Sequence, residues 1–303
     1  MNKYLSFIVF ISLVLNSCQK VVDADGLLDA DPKVYILSYL SPQDTVFRVH
    51  VSRALPAIGT VLDGANGEVN ETNEENLVIK DATVALSDEG GNSTSLSYSQ
   101  ENRAYLADAS TLNINANQRY FLKVIADGNE FNASCNIPEK IAAIAESIEF
   151  KEAEFGGREA EINLSFQDFS GQRNFYVLGG KVSTTFQFEE QEPQTIDFTL
   201  FFGSDEFLGD NLEDGGTLNG TSQTYIDNDT QINATRITLQ VSHVEEILLQ
   251  NLRTASTNSD AEGNPFVEYS IAPDNFSEER AVGVFAGYQL TEKEIVINPD
   301  ENP

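Results

Sequence analysis

The sequence predicts an all-β protein with two domains and one packed helix. Most of the chain after residue 32 alternates apolar and polar residues at period two, which is typical of half-buried strands. Short clusters of Gly, Asn, Asp and Pro separate these segments. Only one stretch has helical spacing. We therefore expect an N-terminal immunoglobulin-like or transthyretin-like sandwich and a larger C-terminal β-domain that carries the helix.

The first 17 residues predict a bacterial lipoprotein signal peptide. Lys3 is the single positive charge, an apolar run covers residues 4–15, and the motif Leu-Asn-Ser-Cys ends at Cys18. The run is too short for a bilayer span, which needs about 20 residues. We expect cleavage before Cys18, then a diacylglycerol thioether on its sulfur and an acyl chain such as palmitate on its amine. The alternative is an ordinary secretory signal, but an Ala-x-Ala-like cleavage site is missing.

Charge and composition limit the partners of the chain. The net charge is −30, so nucleic acid and anionic lipid surfaces would both repel it. Nineteen Phe and ten Tyr are sufficient for substantial apolar cores. Residues 18–31 form a short acidic segment, which we interpret as a lipidated tether. Asp23 and Asp25 in this tether are consistent with export to the cell surface.

The predicted N-terminal domain covers residues 32–140. A tight hairpin is expected at residues 127–129, where Asp, Gly and Asn follow one another. Residues 59–76 are polar, acidic and without a period, so we expect a flexible loop. The predicted strands are residues 33–40, 45–52, 77–87, 95–100, 120–127 and 131–137.

The predicted C-terminal domain covers residues 141–303 and includes an acidic, Gly-rich loop over residues 203–220. The predicted strands are residues 147–154, 159–166, 174–189 with a possible break at Gly179 and Gly180, 196–202, 223–226, 234–242, 266–271, 281–288 and 294–297. The helix is expected over residues 243–256, with Ser242 as its N-cap. Its apolar face is formed by Val244, Ile247, Leu248 and Leu252.

The chain carries no catalytic signature that we recognise, so we expect that it is not an enzyme. Nucleophile-elbow, phosphate-loop, dinucleotide and zinc-protease motifs are all missing from the sequence. His50 and His243 are far apart in sequence, and we interpret both as structural or solvated. Lipidation of Cys18 would leave Cys135 unpaired, and we expect Cys135 to be a small, half-buried strand residue. A pair of carboxylates for glycoside hydrolysis stays open, although nothing distinguishes one pair among 48 Asp and Glu residues.

Three acidic loops were considered as calcium sites. Residues 258–263 match the first half of a calcium-binding loop, but the twelfth position is Tyr269 where Glu is required. Residues 210–215 and 227–229 are also rich in oxygen ligands. Solvated loops are the simpler explanation of all three, so we predict no metal and no other cofactor, while calcium binding by these loops stays open as the alternative.

Several motifs of the chain form a recognisable set. Residues 120–138 combine a strand with an aromatic start, an x-Gly turn, an aromatic-x-Ala strand and a terminal Ile-Pro. An acidic-aromatic-Gly loop follows at 204–209, Asn-Pro-Phe at 264–266 and Gly-Val-Phe-Ala-Gly-Tyr at 283–288. Together these motifs resemble the domain-of-unknown-function 4249 family of Bacteroidota outer-membrane lipoproteins. One departure is Val267-Glu268-Tyr269, where such proteins often carry Glu-Pro.

The resemblance implies that the chain is a lipoprotein at the outer membrane, facing the cell surface. It implies an accessory or substrate-capturing partner of a TonB-dependent receptor, an outer-membrane transporter. The family has no established catalytic residues, so none is assigned. A surface adhesion or structural binding module that is independent of transport stays open as the alternative. The cargo, the binding residues and the oligomeric state are left open.

Overall fold

A computed structural model describes residues 33–54, 77–154, 156–187, 192–209, 214–227, 232–260 and 270–297. Strands dominate these residues, and one helix packs against them. The predicted all-β sandwich architecture with one packed helix is confirmed. The element bounds are β1 Lys33–Leu40, β2 Val46–Ala54, β3 Thr83–Asp88, β4 Ser93–Ser99, β5 Ala104–Asp108, β6 Arg119–Ala126, β7 Asn129–Asn136, β8 Ala145–Glu152, β9 Arg158–Gln167, β10 Phe175–Phe186, β11 Gln194–Thr199, β12 Phe207–Gly209, β13 Thr217–Ile226, β14 Ile232–Val244, α1 Glu246–Asp260 and β15 Ala281–Ile297.

The strands form one long, continuous sheet and one short sheet. The long sheet has the order β11-β10-β14-β15-β1-β2-β5-β4-β3-β6-β7, and β12 pairs separately with β10. The short sheet has the order β13-β9-β8. The N-terminal part of the long sheet curls into the first sandwich, and its C-terminal part packs against the short sheet to form the second.

Strand β15 belongs to both sandwiches. Residues 281–287 pair in parallel with β1, and residues 288–297 pair antiparallel with β14. This strand has 17 residues, about three times the usual strand length. The sequence predicted two separate strands here, and they are a single strand because the chain passes from one pairing partner to the other without a turn.

The first sandwich is built on strict alternation. Strands β6 and β7 bury every second residue, and the buried side chains include Tyr120, Phe131 and Cys135. The Asn275 side chain closes the curled sheet by bonding the backbone of the edge strand β7 and of β15. Its Nδ2 donates to Ser134 O at 3.2 Å and to Phe285 O at 2.7 Å, and its Oδ1 accepts from Phe285 N at 3.0 Å.

The second sandwich has its own core between the short sheet and strands β10, β14 and β15. Fully buried residues in this core include Ile162, Tyr176 and Leu239. Division of the chain at residue 140 stays a prediction. Phe276, Ala281 and Phe285 lie after that boundary and pack in the first core.

The helix begins later than predicted. His243 and Val244 are the last residues of β14, and Ser242 also lies in that strand rather than at a helix cap. The Glu245 carbonyl instead accepts the N–H groups of Leu248 at 3.0 Å and Leu249 at 3.1 Å. Leu248 and Leu249 face β15, where they pack with Val284 and Ala286.

Other differences have local causes. Strand β5 was not predicted because it has five residues and buries two consecutive ones, Ala104 and Tyr105, which hides the alternation. The predicted 203–220 loop contains β12 and the start of β13. The inward positions of that part of β13 are Leu218 and Gly220, so a single apolar side chain leaves no alternation to detect, and a Cβ on Gly220 would lie 2.3 Å from Leu178.

Three further predictions concern loop regions. The predicted 77–87 strand begins only at Thr83, and the residues before it form an isolated bridge between Val78 and Ser52. In the predicted 266–271 strand, residues 266–269 lie outside the described residues. Ser270 and Ile271 are not in a strand, so the prediction is wrong there. The predicted 59–76 loop also lies outside the described residues.

Candidate functional site

The junction between the two sandwiches is the candidate site. Residues 137–144 connect β7 to β8 and cross strands β14 and β15. Three buried polar side chains of those strands hold this linker by bonding its carbonyl groups. The bonds join His243 Nδ1 to Glu139 O at 2.8 Å, Gln289 Nε2 to Pro138 O at 2.8 Å and Thr291 Oγ1 to Ile141 O at 3.2 Å.

The turn between β1 and β2 also stabilises the junction, because its side chains form hydrogen bonds with residues of β15. Gln43 bonds both backbone groups of Leu290: its Nε2 donates to the carbonyl at 2.5 Å, and its Oε1 accepts from the N–H at 3.1 Å. The Tyr288 hydroxyl donates to Asp44 Oδ1 at 3.2 Å. Burial raises the pKa of Asp44, while burial and the nearby Asp44 carboxylate raise the pKa of Tyr288 to about 12.

An open cleft of about 520 Å³ lies along the linker. The first sandwich contributes Asn117 and Asn136 to its walls. The second contributes Arg173 and Phe175, and the start of the helix contributes Glu246. The walls combine amides, carboxylates, one guanidinium and some apolar surface, which is the mixture found in sites that orient polar ligands.

Glu245 lies at the inner end of the cleft. Its Oε1 accepts from the backbone N–H of Asn136 at 2.8 Å and from Asn136 Nδ2 at 3.2 Å. Its Oε2 accepts from the backbone N–H of Gly287 at 2.7 Å. Burial raises the pKa of this carboxyl, although the two backbone donors act in the opposite direction. The side chain therefore joins β7, β15 and the helix at one point.

Glycine is required at position 287 because β7 crosses β15 there. A Cβ on Gly287 would lie 2.2 Å from Asn136 O. Asn136 also forms hydrogen bonds with Glu245. The strand crossing and the Glu245 contacts therefore hold the same part of the cleft wall in place.

His243 is a buried part of the cleft wall. Its ring stacks on Phe169, with centroids 5.4 Å apart, and lies 4.8 Å from the Tyr176 ring. A carbonyl can only accept, so Nδ1 donates to Glu139 O and carries the proton of the neutral ring. Burial lowers the pKa of His243. The hydrogen bond to Glu139 O therefore lets this histidine orient the linker.

A buried carboxylate lies behind His243. Asp168 accepts from the Tyr176 hydroxyl at 2.6 Å and from Gly215 N at 3.1 Å. Sequence analysis missed both Asp168 and Tyr176. Asp168 lies two residues after the predicted 159–166 strand in an acidic chain, so nothing in the local sequence distinguishes it from a solvated turn residue.

Arg173 forms the rim of the cleft. Its guanidinium lies 5.1 Å above the Phe175 ring and 3.3 Å from Glu246 Oε1. Because its side chain is 65% exposed, donors of the guanidinium face solvent at the mouth of the cleft. An anionic or polyhydroxylated ligand could accept hydrogen bonds from the Arg173 guanidinium. The hydroxyl groups of such a ligand could donate hydrogen bonds to the Glu246 carboxylate.

The residues singled out by sequence are dispersed. His50 lies in β2, where its Nδ1 is 3.3 Å from Arg103 O, and it does not share a site with His243. Cys135 is fully buried in the first core, more than the predicted half-burial. Burial and the nearby Glu245 carboxylate raise the pKa of its thiol. Cys18, the predicted signal peptide and the predicted tether lie outside the described residues.

The acidic loops are only partly described. The Asp214 carboxylate accepts from Gly171 N at 2.8 Å, and the Asn258 side chain bonds both the N–H and the carbonyl of Ser270 at 2.9 Å. Both groups therefore already have protein partners. Residues 210–213, 228–229 and 261–263 lie outside the described residues. Within the described part of the chain, no group of three His, Cys, Asp or Glu residues is placed to hold a metal ion.

None of the described helical residues forms a segment long and apolar enough to cross a bilayer. A comparison with functionally curated proteins finds no match. A family model does match the chain over residues 21–294, which includes all strands from β1 to β14, the helix and most of β15. The chain therefore belongs to the family described as domain of unknown function DUF4249.

Proposed function

We propose that this protein is a lipoprotein of the outer membrane, anchored at the cell surface through Cys18. It serves as an accessory or substrate-capturing partner of a TonB-dependent transporter, and it binds its ligand without chemical conversion. The observation that carries the proposal is the junction cleft, because its walls are fastened by hydrogen bonds before any ligand arrives. Pre-organised walls reduce the entropic cost of capture.

The position of β1, the first described strand, is consistent with this role. β1 starts at Lys33, next to the start of β15, where Val34 N donates to Arg280 O at 2.8 Å. Gly287 lies six residues further along β15, roughly 20 Å away at about 3.3 Å per residue. A tether over residues 18–31 that leads into β1 would therefore attach the body at one end of β15, with the cleft further along that strand, while the net charge of −30 opposes contact with anionic lipid.

The test uses the full chain in its native membrane. Tagged protein is extracted in mild detergent, and co-purifying proteins are identified in parallel with a Cys18→Ser variant. We expect labelled palmitate and an outer-membrane barrel with the unmodified chain, and loss of the palmitate with the variant. Absence of any co-purifying barrel, with unchanged transporter-dependent uptake after gene deletion, would contradict the proposal.

A cleft variant separates capture from assembly. Arg173→Ala removes the exposed guanidinium at the cleft mouth, whereas Arg253→Ala removes an arginine that lies outside this cleft. We expect Arg173→Ala to reduce uptake while the barrel still co-purifies, and Arg253→Ala to leave uptake unchanged. If the purified chain binds surface glycans or matrix proteins and no barrel co-purifies, the alternative role in adhesion or surface structure is favoured.

A further inference from the structure

Strand β11 is an exposed edge of the long sheet. All six of its residues, Gln194–Thr199, are exposed, and β10 is the only strand paired with it within the described residues. Ile196 and Phe198 are 47% and 56% exposed, and Phe201, just beyond the strand, is 69% exposed. Natural edge strands usually avoid apolar exposure because an open edge invites pairing with another chain.

Among the described strands, none pairs with the outer side of β11. Leu200 N donates to Gly180 O at 2.9 Å, so these two residues form a hydrogen-bonded pair across the ladder. Such pairs alternate along an antiparallel ladder, so Phe198 and Ile196 also direct their backbone groups toward β10. The N–H and C=O groups of Thr195, Asp197 and Thr199 therefore point away from β10.

The side chains on this edge specify an alternating pattern. Ile196 and Phe198 share one face of the strand, and the Asp197 side chain lies on the other. The hydrogen bond from Ser183 and the ion pair with Lys181, whose Nζ lies 3.4 Å from Asp197 Oδ2, lower the pKa of Asp197, which keeps its carboxylate ionised. The Asp197 side chain is 54% exposed in this pair, so its carboxylate is also accessible to a basic residue on an added strand. An added strand would contact apolar, acidic and apolar positions in turn.

A second copy of this chain fits the edge poorly. If two copies of β11 paired antiparallel with Ile196 opposite Phe198, Asp197 would lie opposite the same residue of its partner. Like charges in directly opposed positions destabilise a ladder, and the net charge of −30 adds repulsion between whole molecules. The complementary partner instead carries a basic residue between two apolar ones.

We infer that β11 binds an extended segment of a different protein by strand addition, and that this segment has an apolar-basic-apolar pattern. Backbone bonds to Thr195, Asp197 and Thr199 supply the affinity, and the alternating side chains supply the specificity. This surface is distinct from the junction cleft, and the inference does not depend on whether a transporter is the partner.

The test measures binding of two labelled peptides to the purified full chain by fluorescence anisotropy. The centre of one alternates valine, lysine and valine, and the other has glutamate in place of lysine. We expect the lysine peptide to bind about threefold to fivefold more tightly, and Asp197→Lys to reverse that preference. The peptide should also slow hydrogen exchange of the Asp197 and Thr199 amides.

Two variants test the edge itself. Thr199→Pro removes an outward N–H without removing a bond to β10, since proline is tolerated on the open side of an edge strand. We expect it, like Phe198→Thr, to weaken the lysine peptide about tenfold. Phe121→Thr, the same change at an exposed phenylalanine of β6, should have no effect.

Circular dichroism and the urea midpoint show whether each variant is folded. If Thr199→Pro does not fold, Phe198→Thr and Asp197→Lys decide the result. The inference is overturned if the lysine peptide does not bind, if folded Thr199→Pro and Phe198→Thr bind it as the unmodified chain does, or if both peptides bind equally.

Discussion

The Glu245 carboxylate accepts the backbone N–H of Gly287 at 2.7 Å, which joins the residue before the helix to the strand shared by both sandwiches. Its other oxygen bonds Asn136 at the end of β7. A single side chain thus connects three elements that are distant in sequence. The geometry of the cleft depends on this connection, because Asn136 and Glu245 are both part of its wall.

Glu245→Gln should destabilise the protein. The amide retains one acceptor oxygen, but its NH₂ group replaces the other acceptor and faces a backbone donor. Loss of a half-buried acceptor costs about 1–3 kcal/mol in the free energy of unfolding, which urea denaturation measures.

Glu246→Gln is the matched control for this change. Glu246 is the next residue in sequence, is 43% exposed and forms a surface ion pair with Arg173. It should change the unfolding free energy by less than about 0.5 kcal/mol. Equal effects of the two substitutions would show that the Glu245 contacts contribute nothing specific to stability.

Gly287→Ala should also destabilise the protein, by overpacking. The added Cβ would lie 2.2 Å from Asn136 O, so β7 must move away from β15. Such insertions cost about 1–3 kcal/mol, measurable as a lower urea midpoint. The control is Gly179→Ala in β10, where the nearest atom to a Cβ is Gln240 Oε1 at 3.9 Å. A normal midpoint for Gly287→Ala would mean that the crossing is looser than the structure shows.

Much of the fold was predictable because alternation and turn residues are local signals. Strands β6 and β7 were found this way, and the helix was located to within a few residues. The junction could not be predicted, since His243, Gln289 and Thr291 meet the linker only through tertiary contacts. A polar residue at an inward strand position has the same local pattern whether it bonds a distant carbonyl or water.

The Cys135 thiol should be unreactive until the protein unfolds. Its side chain is fully buried, and burial raises the pKa of the thiol, so the reactive thiolate is scarce. In a Cys18→Ser background Cys135 is the only cysteine. A thiol-specific dye should therefore label it only after urea is added, as mass spectrometry would show.

The neighbouring position provides the control for this labelling. Ser134 is exposed on the opposite face of β7, so Ser134→Cys in the same background should add one thiol that reacts at once. Prompt labelling of Cys135 in the native protein would show that β7 opens readily at the cleft.

His243 should make the protein less stable as the pH falls. Burial lowers the pKa of His243 in the folded state, whereas the unfolded value is about 6.5. Its contribution to stability is therefore complete above pH 6.5 and is lost as the pH falls toward the folded pKa, because the unfolded chain binds the proton more tightly. His243→Gln removes this contribution. The urea midpoint of the variant should therefore decrease less than that of the unmodified protein between about pH 7.5 and 5.5. If His243→Gln retained the full pH dependence, the acid sensitivity would have to come from other groups.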